Sequence, residues 1–345
     1  MPRELVVLGT ASQAPTRRRN HNGYLLRWDD RVLLFDPGEG TQRQLVLAGL
    51  SAASIDRICL THAHGDHTLG LPGVLARREL DLAGNPAAPV VLHFPLAAGP
   101  DVAVLRRAGA PWGPLPAVEE PVDPTLADGT GLVTVAREES WTLSAAALDH
   151  PVPAVGYRLA ERSSRTMLPD RLERAGVSGP AVSELIAAGT LRVGGRTVRL
   201  EDVSRPRPGQ VFALIMDTRR TPSLLTLARG ADLLVIESTF LAADEELADG
   251  YGHLTAAQAG ALARRAGVRR LVLTHFSRRY GDDAAPFVAE AAAEFGGVPG
   301  RDVVGAEDLI RIPVPSREAA APSDDVAPLT CGTKGSAPPA ERGSR

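Results

Sequence analysis

Apolar residues recur along this chain in two rhythms. Short alternating or continuous runs predict strands at 5–8, 23–28 and 31–36, with Asp29-Asp30 as a turn, and again at 88–94, 131–136, 139–148 and 154–161. One-faced patterns predict helices at 41–48 and 68–80. Beyond residue 208 the two alternate: strand 211–216, helix 222–229, strand 233–237, helix 255–266, strand 270–273, helix 283–295 and a closing strand at 309–312. The expected class is α/β, with two sheets sandwiched by helices. Functional groups should line the edge the sheets share, since open α/β sheets carry their sites beyond the carboxyl ends of the strands.

Two segments depart from this rhythm. Between 158 and 208 the pattern dissolves into turns at Gly176, Gly179-Pro180, Gly189, Gly194-Gly195 and Pro206-Arg207-Pro208. An insertion of that length in a compact domain is usually functional or flexible. It holds ten arginines against six acidic residues, in a protein of net charge −3. The other segment, 313–345, has six prolines and little hydrophobic pattern, which predicts a disordered Pro/Ala-rich tail behind a domain spanning 1–312.

The chemistry concentrates in Leu60-Thr61-His62-Ala63-His64-Gly65-Asp66-His67, where three imidazoles and a carboxylate occupy six consecutive positions after the apolar run 57–60. Neutral imidazole with carboxylate suits zinc and other borderline divalent metals, and a strand ending in this loop projects the side chains into one small volume. A packing role explains such crowding poorly. Further ligands must come from elsewhere. His150, Asp217 and His275 each follow an apolar run, which favours convergence on the same site. A turn cap for His150 and a helix cap near Thr221-Pro222 for Asp217 are the competing readings.

Composition narrows the setting. At 345 residues and 44% apolar content, the chain can bury a large core, yet no apolar run is long enough to span a bilayer. The first residues lack a signal-peptide pattern, and the two cysteines, Cys59 and Cys331, imply no disulfide framework. We therefore expect no membrane association and a cytoplasmic location. Lys334 is the single lysine against 37 arginines, so counting lysines says little about nucleic-acid binding.

The histidine loop resembles the signature of the metallo-β-lactamase superfamily, and further stretches resemble one family within it, ribonuclease Z. These are Leu8-Gly9-Thr10, Pro15-Thr16 with Arg19-Asn20, Asp36-Pro37-Gly38-Glu39-Gly40-Thr41-Gln42, and 150–158. Asp217-Thr218-Arg219, His253-Leu254-Thr255 and 274–280 complete the set, so the likeness covers about residues 3 to 312. The chain departs at His93, where the family usually has a Tyr-Gly-Pro stretch, in the Pro/Gly-rich segment 99–130, and at Met216, where a glycine commonly precedes the Asp-Thr pair.

The resemblance implies the metallo-β-lactamase fold, an αββα sandwich of two mixed sheets, and removal of the 3′ trailer from precursor tRNA. It implies two zinc ions (Zn2+) per subunit. His62, His64 and His150 would hold the first, Asp66, His67 and His275 the second, with Asp217 bridging. Such a pair, roughly 3.5–4 Å apart, activates water, neutralises phosphoryl charge and stabilises the leaving oxygen. Asp66 would orient or deprotonate the water, and His253 would protonate the departing oxygen or contact the phosphoryl group. The 158–208 segment would be an arm gripping tRNA in a homodimer, one subunit's arm holding RNA whose trailer enters the other's site. Two alternatives stay open: a hydrolase of small phosphodiesters or other esters with the segment as a lid, and a non-catalytic, metal-containing RNA-binding protein.

Overall fold

The computed structural model describes residues 3–82, 89–110 and 113–317. The chain opens with an antiparallel meander, β1 (Glu4–Gly9), β2 (Gly23–Trp28) and β3 (Arg31–Phe35). Helix α1 (Thr41–Leu47) leads to β4 (Arg57–Cys59), which runs parallel to β3. The metal-loop turn α2 (Gly65–Thr68) and helix α3 (Leu71–Asp81) follow, then β5 (Val91–Pro95), α4 (Gly99–Arg107) and the edge strand β6 (Val118–Val122). Alternation divides β1 between two interiors. Leu5 and Val7 face the other sheet, whereas Val6 and Leu8 face the helices. Burial on both faces is why such strands read as continuous apolar runs.

The second sheet begins with the antiparallel strands β7 (Val133–Arg137), β8 (Trp141–Leu148) and β9 (Ala154–Glu161). The chain then leaves the sandwich. Strand β10 (Ser164–Met167), helices α5 (Pro169–Arg174) and α6 (Pro180–Ala188), the hairpin β11 (Thr190–Val193) and β12 (Arg196–Arg199), and β13 (Ser204–Arg207) make a small unit. Its two-stranded sheets are separate from the main ones, and Val177, Leu185, Val198 and Val203 form its own core. The segment 158–208 is thus folded rather than pattern-free; its elements are too short to show a period in sequence.

The chain returns as β14 (Val211–Ile215), antiparallel to β9, and continues with α7 (Pro222–Ala228), β15 (Leu233–Glu237), α8 (Glu245–Tyr251), α9 (Ala256–Ala266), β16 (Leu271–Thr274), α10 (Ala285–Phe295) and β17 (Val303–Gly305). Strand β18 (Arg311–Pro313) crosses back to pair with β1. Each sheet therefore has seven strands and mixes parallel with antiparallel pairs, and helices cover both outer faces. This is the αββα sandwich expected.

The expectation needs three corrections. The helix placed at 68–80 is interrupted at Leu69-Gly70, and position 70 needs glycine because a Cβ there would sit 2.0 Å from the Gly38 carbonyl oxygen. Strand β6 and helix α4 lie in what read as a Pro/Gly-rich connection; four of the five β6 residues are exposed, so no alternation marks it. Residues 313–317, assigned to the tail, are packed. Val314 N–H donates to the Arg3 carbonyl, and Arg317 pairs with buried Asp232. Residues 318–345, the rest of the expected tail, lie outside the described residues.

Candidate metal centre

His62, His150, Asp217 and His275 sit within three residues of a strand end, and His64, Asp66 and His67 follow in the loop and helical turn after β4. The β4 strand delivers His62 and His64, and the first turn of α2 carries Asp66 and His67. His150 follows β8, Asp217 follows β14 and His275 follows β16. These seven positions meet in one cluster. His62, His64, His150 and Asp217 offer ligand atoms within 4.8 Å of one another, as do Asp66, His67 and His275.

Asp217 stands between the two groups. Its Oδ2 lies 3.5 Å from His62 Nε2 and 3.8 Å from His150 Nε2, while its Oδ1 lies 3.5 Å from His67 Nε2 and 3.3 Å from His275 Nε2. Asp66 Oδ2 is 3.4 Å from His275 Nε2. His64 Nδ1 approaches His62 Nε2 at 3.0 Å and His150 Nε2 at 3.3 Å. Met216, in place of the family's glycine, packs into the core between the sheets and leaves Asp217 in the cluster.

Partners behind the rings set their tautomers. His67 Nδ1–H donates to Asp36 Oδ2 at 2.9 Å, and His62 Nδ1–H donates to Thr61 Oγ1, whose hydroxyl passes to the same carboxylate at 2.7 Å. His275 Nδ1–H donates to Thr239 Oγ1 at 2.8 Å, which donates to Glu237 Oε2, and His150 Nδ1–H donates to the Gly252 carbonyl at 3.0 Å. With Nδ1 occupied, each of these four rings is left with Nε2 facing the cluster, the outer-sphere arrangement that orients imidazole toward a metal.

The electrostatics ask for positive charge. Four carboxylates, Asp36, Asp66, Asp217 and Glu237, surround the cluster, and among the described residues none has an arginine partner there. Buried carboxylates without counter-charge are costly. Burial, then neighbouring imidazoles, holds His62 well below its ordinary value, and burial lowers His64 and His150. His67 goes the other way, because Asp217, Asp66 and Asp36 outweigh burial. Burial works against ionising Asp217 and Asp66, yet the surrounding imidazoles hold both below the usual carboxylate range. His253 is pushed up to about 9: burial opposes the charge, but Glu237, 3.1 Å from Nδ1, prevails.

The residues fit a pair of cations. Asp217 Oδ1 is buried and has no hydrogen-bond partner, and ring nitrogens of the cluster crowd to 3.0–3.3 Å of each other. A proton can relieve one such contact, whereas divalent ions relieve the whole set. The ligand types, imidazole and carboxylate without thiolate, suit zinc.

His253 lies within 4.8 Å of Asp217 and His275 by one ligand atom, but its Nδ1 is tied to Glu237. Thr255 caps the next helix, in a capping box with Gln258. His21 and His93 stay outside. His93 is fully buried against Arg57, 3.1 Å away, and His21 is also buried. Sequence reasoning assigned no role to Asp36, Thr61, Glu237 or Thr239. Asp36 and Glu237 end apolar strands, the same signal that picked out Asp217, so the signal was present and unused.

Above the cluster opens a cleft of about 520 Å3. Ser12, Gln13 and Arg278 are among its lining residues, with Pro151, Phe240 and Tyr251. Its size suits a strand end or small molecule rather than a folded macromolecule.

Comparison with known proteins fits this geometry. The sequence profile of the Metallo-beta-lactamase superfamily matches residues 16–153, and that of the Beta-lactamase superfamily domain matches 199–276. A protein of Salinispora arenicola named ribonuclease Z is 51% identical over 315 residues, covering 91% of this chain and 97% of that one. A ribonuclease Z of Nocardia farcinica is 52% identical over 317 residues, covering 91% and 99%. Among solved structures, human tRNase Z, short form, superposes with a TM-score of 0.64 at 24% identity, over 91% of this chain and all (100%) of that one.

Proposed function

The chain belongs to the ribonuclease Z family of the metallo-β-lactamase superfamily, and we propose from that premise that it removes the 3′ trailer from precursor tRNA. It is an endoribonuclease: water adds to phosphorus, the P–O3′ bond breaks, tRNA keeps a 3′-hydroxyl and the trailer keeps the phosphate. One observation carries the two-metal part of the reading, the division of the Asp217 oxygens between two imidazole groups.

We assign one zinc ion to His62, His64 and His150 and a second to Asp66, His67 and His275, with Asp217 shared. Bound there, the ions supply Lewis acidity, acidifying water and neutralising phosphoryl charge. The remaining work falls to the chain. Asp36 and the Thr239–Glu237 pair hold His67 and His275 in their ligating tautomers. Asp66, held by the Gln13 N–H at 2.8 Å, is poised to orient the attacking water. His253, backed by Glu237, supplies a proton to the departing 3′ oxygen.

We read residues 158–208 as an arm that holds the tRNA body. Supporting this, Arg171, Arg174 and Arg196 surround a groove on the folded insertion. The proposed homodimer, one subunit's arm serving the partner's site, finds support in the exposed apolar side chains Val46, Leu47, Leu80 and Val104 on the neighbouring helices α1, α3 and α4. Cytoplasmic action is proposed from the expected work on precursor tRNA, and Cys59 is free and buried; no described helix is long and apolar enough to cross a membrane. The test is to incubate zinc-loaded protein with one defined precursor and map both new ends. A 3′-hydroxyl at the discriminator nucleotide is expected. Hydrolysis of small phosphodiesters without cleavage of the precursor would refute the proposal.

A further inference from the structure

Tyr251 is a large aromatic residue left 60% exposed in the lining of the active cleft, and hydrogen bonds tie down the backbone around it. It is the last residue of α8, and the following residue, Gly252, closes that helix with φ 80. The Gly252 carbonyl accepts from His150 Nδ1, and a Cβ there would lie 2.7 Å from Pro151 Cδ. His253 N–H donates to the Ala248 carbonyl at 2.8 Å, and Arg219 Nε donates to the Asp249 carbonyl at 2.7 Å. The Tyr251 ring lies 4° from parallel with that of Phe240, centroids 6.4 Å apart, and Phe240 in turn lies 6.0 Å from the His253 ring. Leu247 and Pro151 extend the same wall.

An exposed ring on a rigid mount, oriented like a second ring behind it and bordering the reacting centre, is a stacking surface. We propose that Tyr251 and Phe240 form a platform for one nucleobase, that of the discriminator nucleotide, whose 3′ oxygen is the leaving group. The inference rests on the proposed function, and the placement follows from position. The nucleotide carrying the leaving oxygen lies on the His253 side of the cleft, the side the platform occupies. Stacking accepts any base, so the platform would set the cleavage register without demanding one discriminator sequence. Ser12, Gln13 and Arg278 are left to face the trailer side, where polar groups suit phosphates better than bases.

The experiment crosses enzyme variants with substrates. Zinc-loaded wild type, Tyr251→Ala and Tyr251→Phe are each given three precursors: unmodified, abasic at the discriminator, and abasic at the first trailer nucleotide. On the unmodified precursor and on the trailer-abasic one, Tyr251→Ala should lower kcat/KM by about 5- to 100-fold, the scale of losing one stacked base. On the discriminator-abasic precursor that penalty should shrink to less than about twofold, and Tyr251→Phe should restore cleavage of the unmodified one. Circular dichroism and metal content, unchanged in the alanine variant, confirm folding. Equal penalties on all three precursors, no penalty on any, or a penalty relieved only by the trailer-abasic substrate would overturn the platform while leaving the ribonuclease reading intact. A wild type that cleaves no precursor would overturn both.

Discussion

Replacing Asp36 with Asn changes one atom behind the metal cluster, and the structure says what must follow. Asp36 is fully buried and accepts three hydrogen bonds, from Thr61 N–H and Thr61 Oγ1 at 2.7 Å each and from His67 Nδ1 at 2.9 Å. Its φ of 45 lies in the left-handed region, which Asn adopts as readily as Asp, so the backbone is retained. The Asn side chain can accept at only one end. With its NH2 toward His67, that ring must present a lone pair to it and carry its proton on Nε2, facing the metal site; Thr61, no longer able to donate there, turns toward His62 and forces the same switch. With its NH2 toward the Thr61 amide, a buried N–H loses its acceptor. Either arrangement removes at least one hydrogen bond to a charged acceptor, about 1.5–3 kcal/mol. Loss of an outer-sphere partner weakens metal binding roughly 10- to 100-fold. In excess zinc the weaker binding removes up to about 2.7 kcal/mol more of ligand-linked stability. Urea unfolding with chelator and with zinc, plus zinc competition against a chromogenic chelator, reads both terms. Wild-type unfolding together with zinc affinity within twofold would refute the tautomer argument.

Three further outcomes are expected. Asp66→Ala should fold, since its side chain is at the cleft surface, yet lose precursor cleavage by about 10²–10⁴-fold, read as single-turnover rates beside circular dichroism spectra. Replacing residues 164–207 with a short linker should hurt precursor cleavage far more than hydrolysis of a small chromogenic phosphodiester; Ser164 pairs with Arg207, so the ends are already adjacent, and equal losses would make the insertion a lid or fold element. Burial, then the Arg57 charge, holds His93 down at about 4 from 6.5, so the neutral ring is favoured by the fold. Its contribution is intact above pH 6.5 and is lost as pH falls through 4, roughly 3 kcal/mol over that window. The stability of His93→Gln should therefore fall less steeply than that of wild type in urea melts between pH 7 and 4.

How much of the site was legible depended on how each residue announces itself. His62 to His67 are adjacent in the chain, so clustering alone revealed them. Asp217 and His275 were legible because a polar residue ending a strand buried on both faces stands out against its neighbours, and His150 because it follows the apolar end of β8. Glu237 sits in that same position after Leu233 to Ile236 but lacks a nearby motif. Tyr251 was invisible: α8 contains Gly250 and buries only Ala248, so nothing in its pattern predicts a helix, still less an aromatic ring at a cleft.

From residue order alone follow the layered α/β architecture, the metal-ligating chemistry and the family, since these depend on local periodicity and on residue types in short motifs. Tertiary structure decided the rest. It divided the Asp217 oxygens between two groups of rings, tied four ring tautomers to partners as distant as Gly252 is from His150, and set Phe240 against both Tyr251 and His253. The physical reason is that distances between side chains on different strands are set by sheet register and by packing between layers. Neither leaves a mark in the local pattern of any single strand.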